Sequence, residues 1–410
     1  GIATHGAVHD AIVVCSFGDA SLNHSTAQGA LNWAAALAHR REQVPLLFVC
    51  EDNGLGISVP SPPGWVESQV GRLGFETASV DGHDVPALLD TVERLVATVR
   101  SRRRPALLHL RCVRFLGHAG SDTESAYRES SAIRADYAAD PIAGSAQALV
   151  DTGEATGADL VAWYLDEREQ LRLRATALLD EPEFGSTAEV MAPLRMPPPD
   201  AVRRRADEIH GASAGGTADD TAGARPGGTD AAPPGEVPQT LARTITATLG
   251  DILAADPGAC VFGEDVGRKG GVYGVTRGLQ RRFGEDRVFD TVLDEQSILG
   301  LALGIGLRGG LPIPEIQYLA YLHNAEDQLR GEAASLRFFS QAQYRNPMVV
   351  RVAGYAYQRG FGGHFHNDNS VAVLRDVPGL VIASPAHPAD AGPMLRTCAA
   401  AARVDGAVCV

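Results

Sequence analysis

Two α/β modules with mainly parallel sheets flanked by helices, joined by a flexible linker, are predicted for these 410 residues. Three observations predict them. Short apolar runs alternate with helix-like stretches near both ends of the chain, which is the pattern of βαβ units. A Pro-, Gly- and Ala-rich stretch interrupts the alternation. The length exceeds what one core serves, so two or three domains are expected.

In the first module, "AIVVCSF", "VPLLFVC" and "PALLHLRCVRF" read as strands, and "TAQGALNWAAALAHR" and "DVPALLDTVERLVATVRS" as the helices between them. "GADLVAWYLDEREQLRLRATALLD" reads as an amphipathic helix. Residues 196–238 hold few large apolar side chains and are expected to be a flexible linker. The boundaries are thus 1–195, 196–238 and 239–410. In the last segment "TLARTITATLGDILAAD" and "SILGLALGIGLRGG" read as helices, and "ACVFGED", "LPIPEIQ", "NPMVVRVAG" and "GLVIASP" as strands. Gly304, Gly306 and Gly309 match a dinucleotide fingerprint by letter. They lie within a helical stretch and are read as close helix packing.

The 36 basic and 50 acidic residues give a net charge of −14, which argues against a nucleic-acid or anionic-membrane surface. Six scattered cysteines without a CxxC pair read as small buried hydrophobes of a reducing compartment, and the expected location is cytoplasmic. The missing initiator Met and the strand-like last residues, "GAVCV", suggest a piece of a longer protein.

Gly18-Asp19-Ala20 and Asp52-Asn53-Gly54 each follow a strand directly. In open α/β sheets ligands sit at the carboxyl ends of strands. A carboxylate, a carboxamide and a backbone carbonyl suit Mg²⁺ when phosphates complete its shell. From spacing alone, Asp19 as a helix cap and Asp52–Gly54 as a turn is the favoured reading.

These residues resemble the thiamine-diphosphate motif of 2-oxoacid dehydrogenase E1 α subunits, GDG followed roughly thirty residues later by NN. The resemblance implies that Asp19, the Asn53 side chain and the Leu55 carbonyl hold Mg²⁺ on the cofactor's diphosphate, with Gly18 and Ala20 beside it. Ala20 stands for the last Gly and Asp52 for the first Asn, and the spacing (53 − 19 = 34) is slightly long. "RFLGHAGSDTESAYR" resembles the loop beside the cofactor, which makes His118 the residue reaching cofactor and lipoyl entrance. Ala119 follows it where some relatives carry a regulated serine, so no phosphorylation switch is expected there.

"FGEDVGRKGGVYGVTRGL", "RVFDTVLDEQSILGLALGIGLRGGLPIPEIQYLAYLHNAEDQL" and "GFGGHFHNDNS" resemble the E1 β subunit across nearly all of 240–410. That resemblance implies two thiamine-diphosphate-binding folds in one chain. It places Glu295 against the aminopyrimidine N1′, Tyr321 stacked on that ring, and His366, in preference to His364, in acyl transfer to lipoyl-lysine. Without it, "DEQS" is an ordinary acidic first helical turn. The implied activity is oxidative decarboxylation of a 2-oxoacid, branched-chain before pyruvate or acetoin, with a lipoyl-bearing E2 partner and a homodimer of the fused chain. Transketolase-like transfer, or a catalytically incompetent piece that binds cofactor weakly, are the alternatives.

Overall fold

The computed structural model describes residues 10–212, 239–355, 362–363 and 366–410. The chain divides into two compact units, one up to Gly185 and one from Ser186 onward.

In the first unit, β1 (Val13–Gly18) leads through a 3₁₀ turn into α1 (Ser25–His39), then β2 (Leu46–Asp52). A two-stranded hairpin follows, β3 (Leu55–Gly56) and β4 (Val59–Pro60), then α2 (Trp65–Val70), β5 (Glu76–Asp81), α3 (Val85–Arg102) and β6 (Ala106–Arg111). The sheet order is β1-β2-β6-β5, all parallel. Alternate side chains of β2 and β6 feed two cores. Phe48 and Leu107 pack with Leu22, Leu31, Val66 and Val70, while Leu47, Ala106 and Leu108 pack with Val80, Leu95 and Val99. A sheet covered on both faces explains why these strands read as unbroken apolar runs. β5 is the strand the sequence concealed, because "ETASVD" alternates polar and small residues.

α4 (Ser130–Ala138), α5 (Pro141–Asp151) and α6 (Gly157–Leu178) complete this unit. The Thr156–Asp159 capping box starts α6 where the sequence predicts it. Its apolar residues are not gathered under a core, however: Val161, Trp163, Tyr164 and Leu165 are all more than half exposed.

The second unit begins with α7 (Thr187–Val190) and α8 (Pro199–Gly211). The linker expected over 196–238 is therefore corrected for its first part. Pro199 stands in the first turn of α8, where a missing N–H costs nothing. Val202 and Ile209, seven residues apart on one face, join the core of the second unit. Two apolar anchors suffice because Arg205 also reaches Asp256, at 3.3 Å. Residues 213–238, the rest of that expectation, lie outside the described residues.

α9 (Leu241–Ala255), β7 (Ala259–Gly263), α10 (Leu279–Phe283), β8 (Val288–Asp290), α11 (Glu295–Leu307) and β9 (Leu311–Ile316) follow. After α12 (Leu319–Leu322), a π-helical turn at Gln328–Ala334 and α13 (Leu336–Phe339) come β10 (Met348–Val349) and β11 (Arg351–Val352). The described chain closes with α14 (Ala372–Arg375), β12 (Leu380–Val381), α15 (Pro388–Asp405) and β13 (Val408–Cys409). Two parallel sheets result, β11-β9-β7-β8 and β10-β13-β12. Buried Asp256 ties the layers together, with Arg403 Nη2 on Oδ1 and Nε on Oδ2, both at 2.6 Å. Burial alone would raise this carboxyl, but the Arg403 hydrogen bond and charge overcome it and hold it below its ordinary range.

The glycines of α11 act as packing surface. A Cβ on Gly306 would lie 2.6 Å from Asn346 Oδ1 and 2.9 Å from the Pro347 carbonyl, whereas one on Gly300 would meet nothing within 4 Å. Gly306→Ala is therefore expected to destabilise the protein by about 1–3 kcal/mol. Gly300→Ala should be neutral or stabilise by up to about 1 kcal/mol through helix propensity. Thermal unfolding of the two variants side by side checks this, and equal shifts would sink the packing account.

Candidate active site

Parallel register sets Gly18 opposite Glu51, so the residues that follow β1 and β2 emerge side by side. The Asp19 backbone N–H donates to the Glu51 carbonyl at 3.1 Å, and its side chain is 1 % exposed. The Ser61 hydroxyl donates to Asp19 Oδ2. Asn53 Oδ1 accepts from the Leu55 N–H at 3.0 Å, and Asp52 Oδ1 from the Gly54 N–H at 2.9 Å. These two bonds wind residues 52–55 into a tight turn with Gly54 at φ 73°, and the 55–60 hairpin closes over it. An ideal Cβ on Gly56 would sit 2.9 Å from the Ala20 Cβ. Ala20, at φ −68° and ψ −37°, needs no glycine backbone, and its methyl fills the space that Gly56 leaves.

The local field is negative. Burial, then the charges of Asp52, Asp19 and other groups around it, push the Cys50 thiol up to about 12. Burial, then Glu51, Asp52 and Asp19, push Cys112 up to about 11. Among the described residues no cluster of three His, Cys, Asp or Glu side chains is placed to hold a metal. The donors at this edge are instead mixed oxygens: the Asp19 carboxylate, the Asn53 carboxamide and the Leu55 carbonyl. That set, in a negative field, fits a hard dication carrying phosphate ligands.

His118 is exposed on the following loop, and its backbone N–H donates to Asp122 Oδ2 at 2.6 Å. Tyr127 donates to the same oxygen at 2.8 Å, and Arg114 reaches both Tyr127 Oη at 2.6 Å and the Ile57 carbonyl at 2.7 Å. These hydrogen bonds, His118's first, hold the Asp122 carboxyl below its ordinary range. The loop bearing His118 is thereby fastened to the same hairpin as the Asn53 turn. The sequence reading missed Arg114, Asp122 and Tyr127, although all three lie in the motif it quoted.

In the second unit Glu295 opens α11 and is 9 % exposed. Asp294 caps the helix, its carboxylate accepting from the Ser297 N–H at 3.3 Å. Asn324 Nδ2 donates to Glu295 Oε2 at 3.3 Å. Tyr321, three residues earlier, has its hydroxyl 3.4 Å from His366 Nε2, and the two rings meet edge-on at 5.9 Å. Tyr318, absent from the sequence expectation, packs its ring 4.4 Å from His366 at 85°. The structure thus brings Tyr321 and His366 together. His364 lies outside the described residues. Glu264, directly after β7, was also missed. Burial, then the charges of Glu295, Asp265 and Asp294, push its carboxyl up to about 7.

Residues 1–169 match the family described as dehydrogenase E1 component, and residues 238–410 match the transketolase pyrimidine-binding domain. The first part of the chain is thus similar to dehydrogenase E1 components, and the last part to pyrimidine-binding domains of the transketolase type. Both matched parts lie in one polypeptide. Similar curated proteins include the pyruvate dehydrogenase E1 component subunit beta of Bacillus subtilis, 39% identical over 161 residues, which are 38% of this chain and 47% of the relative. The protein of the same name from Staphylococcus epidermidis is 41% identical over the same shares. The 2-oxoisovalerate dehydrogenase subunit beta of Pseudomonas aeruginosa is 38% identical over 39% of this chain and 45% of its own length. The chain spans about half the length of the curated relatives it matches.

The Glu264 carboxyl gives a pH prediction. Its folded value lies above its ordinary 4.5, so the folded protein keeps a proton that the unfolded chain gives up. The resulting stability is full below about pH 4.5 and is lost as pH rises through about 7. Glu264→Gln should remove that loss, stabilising the protein at pH 8 relative to wild type by roughly 1 kcal/mol after allowance for solvent screening of a half-exposed group. Unfolding curves at pH 5 and pH 8 check it, and a variant that tracks wild type at both would contradict the assignment.

Proposed function

We propose that this protein is the E1 component of a 2-oxoacid dehydrogenase, decarboxylating a small aliphatic 2-oxoacid with thiamine diphosphate and Mg²⁺. The observation that carries the reading is a pair of matching placements. The first unit sets Asp19 beside the Asn53 turn at one sheet edge, and the second buries Glu295 at a helix start.

Bound thiamine diphosphate supplies a carbon nucleophile and an electron sink for the loss of CO₂. Asp19, Asn53 and the Leu55 carbonyl would hold Mg²⁺ and through it the diphosphate. Glu295 is the residue to hold a proton against the aminopyrimidine N1′. Its burial keeps water from competing for that hydrogen bond, and Asn324 fixes its second oxygen. Tyr321 offers a ring face for stacking. His366, tethered through Nδ1 to the Gly362 carbonyl at 2.8 Å, is positioned to pass a proton during acyl transfer to a lipoyl-lysine. His118 stands on a fastened loop beside the metal turn and serves the same acceptor. The acceptor is an E2 acyltransferase, and the assembly a homodimer of the fused chain. Branched-chain acids are the first substrate candidates and pyruvate the second, since relatives with either name are similar to the chain at 38% and 39% identity.

Decarboxylation of 3-methyl-2-oxobutanoate and of pyruvate, with an artificial electron acceptor, tests the reading. Glu295→Gln should lower kcat by about 10²–10⁴-fold while leaving calorimetric binding of Mg²⁺–thiamine diphosphate nearly intact. Asp19→Ala should abolish that binding. Turnover by Glu295→Gln at the wild-type rate would refute the assignment.

A further inference from the structure

β6 lies between β2 and β5, with its apolar residues feeding the cores on both faces of the sheet. In its middle stands His109, 1 % exposed, where "ALLHLR" otherwise supplies only apolar side chains before the terminal Arg. Both ring nitrogens face polar groups. Nε2 lies 2.8 Å from Asp52 Oδ2. Nδ1 lies 3.1 Å from the Ser79 hydroxyl on β5 and 3.3 Å from Glu67 Oε1 on α2. Asp52 uses its other oxygen, Oδ1, to accept from the Gly54 N–H. The chain His109–Asp52–Gly54 therefore runs from the sheet interior into the turn that presents Asn53 and Leu55.

The thiamine motif has a neutral Asn at position 52. A carboxamide brings its own donor and carries no charge. A carboxylate only accepts, and a buried or half-buried one needs a donor on each oxygen. With the Gly54 N–H serving Oδ1, the imidazole N–H of His109 is the donor that serves Oδ2. The Ser79 hydroxyl, donating to Nδ1, holds the ring in the orientation this requires.

We propose that His109 is a positioning residue for the metal–diphosphate turn: it acts through Asp52, and it is what allows an aspartate to stand in the motif's first asparagine position. This rests on the thiamine-diphosphate reading above. Partners of this kind orient the ligands they support, and losing one typically weakens metal affinity 10–100-fold.

The test is calorimetric binding of Mn²⁺–thiamine diphosphate to wild type, His109→Leu, His109→Gln and the double variant His109→Leu/Asp52→Asn. The unfolding temperature of each is measured without cofactor. His109→Leu should bind 10–100-fold more weakly. His109→Gln keeps an N–H donor and should recover most of the loss. The double variant should also recover, because an asparagine at 52 leaves no carboxylate oxygen without a donor. A purely structural histidine would lower the unfolding temperature in His109→Leu and leave affinity alone, and that result overturns the proposal. So does a loss of affinity that asparagine at 52 fails to relieve. Absence of binding by folded wild type would overturn the thiamine-diphosphate reading itself, which separates the two failures.

Discussion

The side-by-side parallel pairing of β1 and β2 is the constraint on which the first candidate site depends. In a parallel pair both carboxyl ends point the same way, so whatever follows each strand is delivered to one edge. The register is set by apolar side chains sunk into two cores, Leu47 on one face and Phe48 on the other. A slip of one residue would exchange those faces and carry Asp19 and Asn53 away from their places. The stability of the sheet and the geometry of the Asn53 turn are therefore one property. The same logic holds within the second unit. β7 ends just before Glu264 and Asp265, β9 ends just before Tyr318 and Tyr321, and the two strands pair directly.

Carboxylates gathered at a strand edge repel one another, and each edge shows how that strain is met. At the first, Asp19 has Ser61, Asp52 has Gly54 and His109, and burial, then the remaining field, lifts two nearby thiols. At the second, Asp265 has Lys269 at 2.5 Å and Asp294 has its own helix N-terminus. Glu264 has neither, with a buried Oε1 that finds no hydrogen-bond partner, and it responds by holding its proton more tightly.

What the sequence made legible was whatever is local in the chain. The apolar runs of β1, β2, β6, β7 and β9 and the capped helices between them announce themselves by composition, and the motif residues Asp19, Asn53, Glu295 and Tyr321 sit inside recognisable stretches. What stayed hidden were partners brought in from far along the chain. Asn324 lies 29 residues from Glu295, and His109 lies 57 from Asp52. β5 was missed because it packs through small residues, and α8 because two apolar anchors are too few to show in a proline- and arginine-rich stretch. His109 did leave a signal. A lone histidine in a strand that feeds both cores must be paired on both nitrogens, and the pairing partners could have been sought at the strand ends.

The two substituted positions of the thiamine motif are therefore not equivalent. Ala20 is absorbed sterically, since its methyl occupies space that Gly56 vacates, and no charge changes. Asp52 is absorbed electrostatically, and the compensating group has to come from another strand. A steric trade between residues of adjoining turns can be made one methyl at a time. An acceptor without its donor leaves a half-buried carboxylate oxygen unserved at the edge that carries Asp19 and Asn53. The turn keeps its shape in this chain because position 109 of the neighbouring strand carries a donor, so the identity of residue 52 can be understood only together with that of residue 109.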